Sequence, residues 1–500
     1  MVVFFLLQLK AYGAVSLALS SSPSNLSPFS STDANSQNLN RLVHLSLTDF
    51  GKDMRFVCRL CKSFEQRFED EKHIIRFHLD PTAKFWDGTA VTAIDVKKSW
   101  QYFTEEKKIK SIFRFAFSSI KDVIVIDEKT VDLVYKEFSL ENLSNLALLK
   151  IIKIEKYKEL ESVELEDIVG AGPYKYKDIK TLEISLNPLR EDLPELIFKV
   201  VRDETTLALK LMNKEIDLSL AKMSPRKENW LKKKSGDLNF WSVPGATYVY
   251  LGLNHQSSFL SEKLGRLALA HLIPKKELVK YKLKGSATLA TGLFSKAFED
   301  FYLQDSGPEY NPEVASKILS EMGYTKDDKG FWKKDGKNIS LDWKVSNNKS
   351  TIEVVEVIKN YLNQNGLVVN LTIQEWGTFM RSVKSGDFDI VMSQWVGFTG
   401  PDMLKFVFHS ESTPPKGGNR GHFIDKEFDK LLNRAQGERD QTLRMKFYKK
   451  AAKRANSELA YINMWHPDVT WIGRDCIELA NGIHSNGNFM ALLSLNYECK

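Results

Sequence analysis

Apolar and polar positions along this chain change period in blocks, and each block predicts an element. Residues 15–19 (VSLAL) read as a first strand, followed by a Ser/Pro/Asn-rich stretch over 20–37. Residues 74–79 (IIRFHL) alternate and read as a strand. The Trp86-Asp87-Gly88 turn precedes a helix over 93–103. Residues 121–137 read strand–turn–strand (VIVI, DEKT, VDLVY), which is a hairpin. The second half has a βα pattern. Residues 339–345 (ISLDWKV) alternate, and Ser350 with Glu353 forms a capping box that opens a helix. That helix gathers Ile352, Val355, Ile358 and Leu362 on one face and closes at Asn365-Gly366. Residues 367–376 (LVVNLTIQEW) form a strand ending on Trp376, GTFMRSVKSG a short helix, and 389–395 (DIVMSQW) a strand ending on Trp395. Further helices are predicted over 312–322 and 438–457. The pattern is that of mixed α/β lobes, at least two, without internal repeats.

A helical crossover between two strands implies that they run parallel. Trp376 and Trp395 then lie at carboxyl ends, the edge where α/β sheets bind ligands. Two flat side chains on adjacent strand ends predict a pocket that sandwiches a solute.

Five hundred residues exceed one core, so two or three domains are expected. Apolar residues make up 43% and charged ones 27%, an ordinary globular balance. The net charge of +7 is small for this length, and no Arg/Lys stripe interleaves with aromatics, so nucleic acid is not indicated. The Lys run at 232–234 reads as a solvated face. The apolar run at residues 2–7 resembles a short signal peptide, with Ala11-Tyr12-Gly13 an acceptable cleavage site. No other stretch is long enough to span a bilayer. Cys58-x-x-Cys61 has no second ligand pair, so zinc is not supported. Cys476 and Cys499 would close a local disulfide loop in an exported protein, and reduced cysteines fit the sequence equally.

Catalysis requires converging groups. The chain has no HExxH, GxSxG or Walker A motif. Ser224-Pro-Arg-Lys227, Ser346-Asn-Asn348 and Lys384-Ser-Gly386 follow the order of penicillin-binding enzymes. Pro225 and the turn context of Lys384 argue against that role and leave serine acyl transfer a remote alternative. His73 and His78 fall on opposite strand faces. His466, beside Trp465, reads as a hydrogen-bonded structural residue, with a metal or chelate ligand as the minor reading. No cofactor and no metal site is expected.

Several blocks resemble the family 5 extracellular solute-binding proteins, the oligopeptide and dipeptide receptors of ABC importers. The most specific is residues 77–96, Phe77-His-Leu-Asp-Pro-Thr-Ala-Lys-Phe-Trp-Asp-Gly-Thr-Ala-Val-Thr-Ala-Ile-Asp-Val96. It is joined in order by Gly170-Ala-Gly-Pro-Tyr174, Tyr250-Leu-Gly-Leu-Asn254 with Leu264-Gly-Arg-Leu-Ala268, residues 315–323, and Gln374-Glu-Trp376 through Trp395. The resemblance spans about residues 15–500. It implies an α/β bilobed periplasmic-binding-protein fold with an extra subdomain, mixed sheets flanked by helices, and a ligand cleft between lobes that close. Lobe I would comprise 14–47, 168–247 and 467–500, after a signal-like segment over 1–13. A subdomain would be inserted over 48–167, and lobe II would run over 248–466.

The implied function is a non-catalytic, monomeric receptor in the periplasm. It would deliver a peptide or other small solute to an ABC permease/ATPase complex at the inner membrane. Alternatives are a sugar, a nickel or metal chelate as ligand, or a signalling role. The implied ligand contacts are Trp376, Trp395, Phe398, Thr399, Tyr248 and Trp465. Phe398 stands where peptide receptors place an Asp that pairs with the ligand ammonium, which argues against free-amine peptides bound in that mode. Asp402 reads as structural, and Ala460-Tyr461 replaces the family's Pro before the last hinge strand.

Overall fold

The computed structural model describes residues 13–69, 72–139, 141–155, 162–397 and 400–499. The chain divides into two compact units. Unit 1 takes the chain through Val243 and again from Val469, and unit 2 runs from Pro244 to Asp468. The expected signal-like segment lies outside the described residues, apart from Gly13.

In unit 1 the buried strand Val15–Leu19 runs parallel to both Leu196–Val200 and Leu218–Leu220. Strand Glu183–Pro188 adds an antiparallel neighbour to Leu196–Val200, and Tyr174–Lys180 adds the next. Helix Ala34–Val43 covers this sheet with Leu39, Leu42 and Val43, and starts where the Asp33 side chain accepts from Ser36 N. A second core gathers residues between Phe29 and Ala171. Its sheet runs Cys61–Glu69, Lys72–Leu79, Thr130–Tyr135, Ile120–Val125, antiparallel throughout, against helix Ala93–Thr104. The predicted hairpin is its second half. The Gly170–Tyr174 turn needs its glycines, because a Cβ on Gly170 or Gly172 would collide with the backbone of Val43. Gly170 also accepts from Trp86 N at 2.9 Å, which ties the turn to the Trp86-Asp87-Gly88 corner. Cys58 bonds to Cys61 and Cys476 to Cys499.

Unit 2 is built on a mixed sheet in the order Tyr461–Arg474, Tyr248–Leu253, Ile390–Trp395, Ser340–Ser346, Val368–Gln374. The first of these strands continues into unit 1 after Asp468. The last three strands are parallel, as the crossover pattern predicts. Helix Lys349–Gln364 joins Ser340–Ser346 to Val368–Gln374 and buries Val354, Val355, Ile358 and Leu362. Its cap is Asn348, whose side chain accepts from Thr351 N at 3.0 Å, so the expected Ser350 cap lies two residues too late, inside the helix. Gly366 ends it at φ +90°, within reach of the Gly330 carbonyl, where a Cβ would not fit. Helix Trp376–Ser385 returns the chain to Ile390–Trp395, burying Phe379 and Val383 in a separate apolar cluster with Phe388 and Val391. Among the described residues, no helix is long and apolar enough to cross a membrane.

Candidate functional site

Strand Ser340–Ser346 sends its chain to a neighbour on one side, and the next crossover lands on its other side. That reversal opens a crevice at the carboxyl ends, where a sheet no longer fills the space between diverging connections. A depression of about 730 Å³ lies there, entirely within unit 2. Its apolar floor includes Val249, Phe379, Met392, Trp376 and Trp465, and its polar rim is the turn 346–351 with Ser393 and Gln394.

The structure places the expected site residues on two faces. Trp376 and Trp465 share the depression. Trp376 is 58% exposed, while Trp465 is buried. Trp465 stands opposite Val249, and Tyr248 stands opposite Trp395. Directly paired residues project to the same side of a sheet, and successive residues to opposite sides. Trp395 and Tyr248 therefore face away from Trp465.

Two expectations are corrected here. Trp376 is the first residue of a helix, and its strand ends at Gln374. The strand preceding Trp376 is not adjacent to the one ending in Trp395, because Ser340–Ser346 lies between them. The two indoles therefore do not form a sandwich. Trp395 is 8% exposed and packs on Tyr250, with ring centroids 6.0 Å apart and planes 14° apart. Tyr248 is fully enclosed, and its hydroxyl donates to the Asn463 side-chain oxygen. Phe398 and Thr399 lie outside the described residues.

The other candidates have structural partners. Asp402 accepts from the Tyr448 hydroxyl at 2.9 Å. His466 has a ring nitrogen 2.9 Å from the Thr247 carbonyl, and burial pulls its pKa down to about 4. Ser224 caps helix Pro225–Lys234 and donates to Glu204 at 3.1 Å, while Lys384-Ser-Gly386 closes helix Trp376–Ser385. The residues 346–351, Ser393 and Gln394 were not singled out from sequence as ligand contacts, although Ser346-Asn-Asn348 and Ser350 drew notice for other roles. Their signal was positional, since they follow or end strands flanking the reversal.

A crevice of this kind defines a ligand-binding α/β protein. The chain belongs to the bacterial extracellular solute-binding proteins, family 5, whose Middle region matches residues 56–416. The oligopeptide-binding protein AppA of Bacillus subtilis is 24% identical over 464 residues, covering 88% of this chain and 83% of its own length. Among solved structures, HbpA2 from Haemophilus parasuis matches with a TM-score of 0.82 at 22% identity, over 97% of this chain and 100% of that one. NikZ from Campylobacter jejuni in complex with Ni(L-His) matches with a TM-score of 0.71 at 22% identity, over 96% and 99%. These two structures share the fold.

Proposed function

We propose that this protein is the receptor of an ABC importer: exported, periplasmic, and handing a peptide or peptide-sized solute unchanged to a permease–ATPase complex. Family membership over residues 56–416 is the observation that carries this reading. The solute rests on the unit-2 depression, and closure on the solute is the working motion. The exposed indole of Trp376, with Trp465 beside it in the lining, supplies flat apolar contact. The amides and hydroxyls of the rim, with retained water, supply hydrogen bonds that tolerate different side chains.

The fold shared with NikZ supports a second reading, a metal chelate as ligand. Among the described residues, no three His, Cys, Asp or Glu side chains group to hold a metal ion.

Native mass spectrometry of protein purified from its own host, paired with small-angle scattering, tests the proposal. The expected result is an intact co-purified solute and a smaller radius of gyration when it is bound. A chemically altered solute after incubation, or an unchanged radius, would count against it.

A further inference from the structure

Among the described residues, the walls of the unit-2 depression carry one charged side chain, and it is a cation. Lys349, the first residue of helix Lys349–Gln364, lines the rim and makes no ion pair among the described residues. Every other described lining residue is apolar or an uncharged hydroxyl or amide.

The carboxylates nearby have other partners and do not line the space. Glu375 caps the helix that begins at Trp376, accepting from Gly377 N at 2.8 Å. Glu353 pairs with Lys282 at 3.1 Å, and Asp389 accepts from Asp342 N at 2.8 Å. Asp468, next to the lining Pro467, accepts from the Thr288 hydroxyl at 3.3 Å.

An ammonium moved from water onto such a wall loses its hydration and meets no carboxylate among the described lining residues. A carboxylate placed there meets Lys349 and the amino end of a sixteen-residue helix, both of positive sign. We infer that this wall selects a solute that brings no free ammonium to it and presents a carboxylate or similar anionic oxygen to Lys349. N-acylated peptides with a free carboxyl end are the simplest members of that class. This inference rests on the reading of the depression as the solute site.

The test uses the full chain and one pool of apolar tripeptides prepared in three forms: free, N-acetylated, and N-acetylated with a C-terminal amide. Capture is read by mass spectrometry, and the best-held sequence is titrated by calorimetry in all three forms. The N-acetylated acid should bind about tenfold or more tighter than the free peptide, given the cost of an unpaired buried ammonium. Amidation should weaken binding by about three- to tenfold, and by less in Lys349→Gln. Equal or better binding of the free amine overturns the inference, as does capture from none of the pools. Trp376→Ala separates the two levels. If it leaves the captured peptide bound as before, the site itself is elsewhere, whatever the amine preference. If it abolishes binding while the free amine is preferred, the site stands and the selectivity fails.

Discussion

The guanidinium carbon of Arg420 lies 4.6 Å from the centroid of the Trp395 ring. Tyr250 stacks on the same indole, Tyr461 stacks on Tyr250 at 4.0 Å, and Phe406 meets Trp395 edge-on at 5.7 Å. Trp395 is thus part of an aromatic core capped by a cation. Its energy goes into the packing of unit 2, while Trp376 keeps its ring exposed beside the depression.

Trp395→Ala should therefore act on stability. Removing a packed indole leaves a cavity and costs about 3–5 kcal/mol. Arg420→Gln removes only the cation over the ring and should cost about 1 kcal/mol. Urea titrations followed by circular dichroism give both values. A Trp395→Ala protein as stable as wild type would contradict the packing argument.

Trp376→Ala should show the opposite pattern. An exposed ring contributes little to folding, so stability should change by less than about 0.5 kcal/mol. Loss of an aromatic anchor should weaken solute binding by about 1–3 kcal/mol. Calorimetry with a co-purified solute, alongside the melting temperature, separates the two effects.

The contrast between these tryptophans marks how far the sequence could be read. Elements with strong period or punctuation were legible: the 93–103 helix, the 121–137 hairpin and the three parallel strands of unit 2 all form. Strand order was not legible, because a βαβ pattern fixes direction but not which side the next strand takes. Hence Ser340–Ser346 came between two strands expected to touch. The face of each aromatic was also hidden. A register irregularity lies between Val249 and Tyr250 where they pair with Trp465 and Asn463, and a shift of one residue exchanges faces. Ser350 with Glu353 resembled a capping box, yet Asn348 took the role, since Asn caps as well as Ser.

Tyr248 donates its hydroxyl to Asn463, and both side chains are buried. Tyr248→Phe keeps the ring but leaves the Asn463 oxygen without that donor. The cost should be about 1–3 kcal/mol, that of an unsatisfied buried polar group. Replacing both residues, as Tyr248→Phe with Asn463→Leu, should recover part of it. If the double variant loses the full sum of the single losses, the two side chains are not coupled.

Acid should destabilise both units through buried histidines. Burial lowers the His44 pKa to about 3, with Lys150 adding a smaller electrostatic push, and it lowers that of His466 to about 4 against the hydrogen bond at Thr247. An unfolded histidine titrates near its ordinary value, so below that pH the unfolded chain binds more protons than the folded one. The stability each group contributes is full above about pH 6.5 and falls as pH drops toward the folded value. From pH 7 to pH 5 each should cost about 2 kcal/mol. Asp33 does not titrate in this window, since its bonds to Ser24 and Ser36 hold it down at about 2 despite burial, whereas burial pushes Glu228 up. The window also lies below most of the titration of Lys150, which burial lowers to about 7 and whose stability gain comes as pH rises beyond that. Urea unfolding at pH 7 and pH 5 measures the loss. His466→Gln should shrink the difference between the two pH values by about 2 kcal/mol, whatever its own baseline stability. An unchanged difference would mean that His466 binds protons equally in the folded and unfolded chain, so that burial does not lower its pKa.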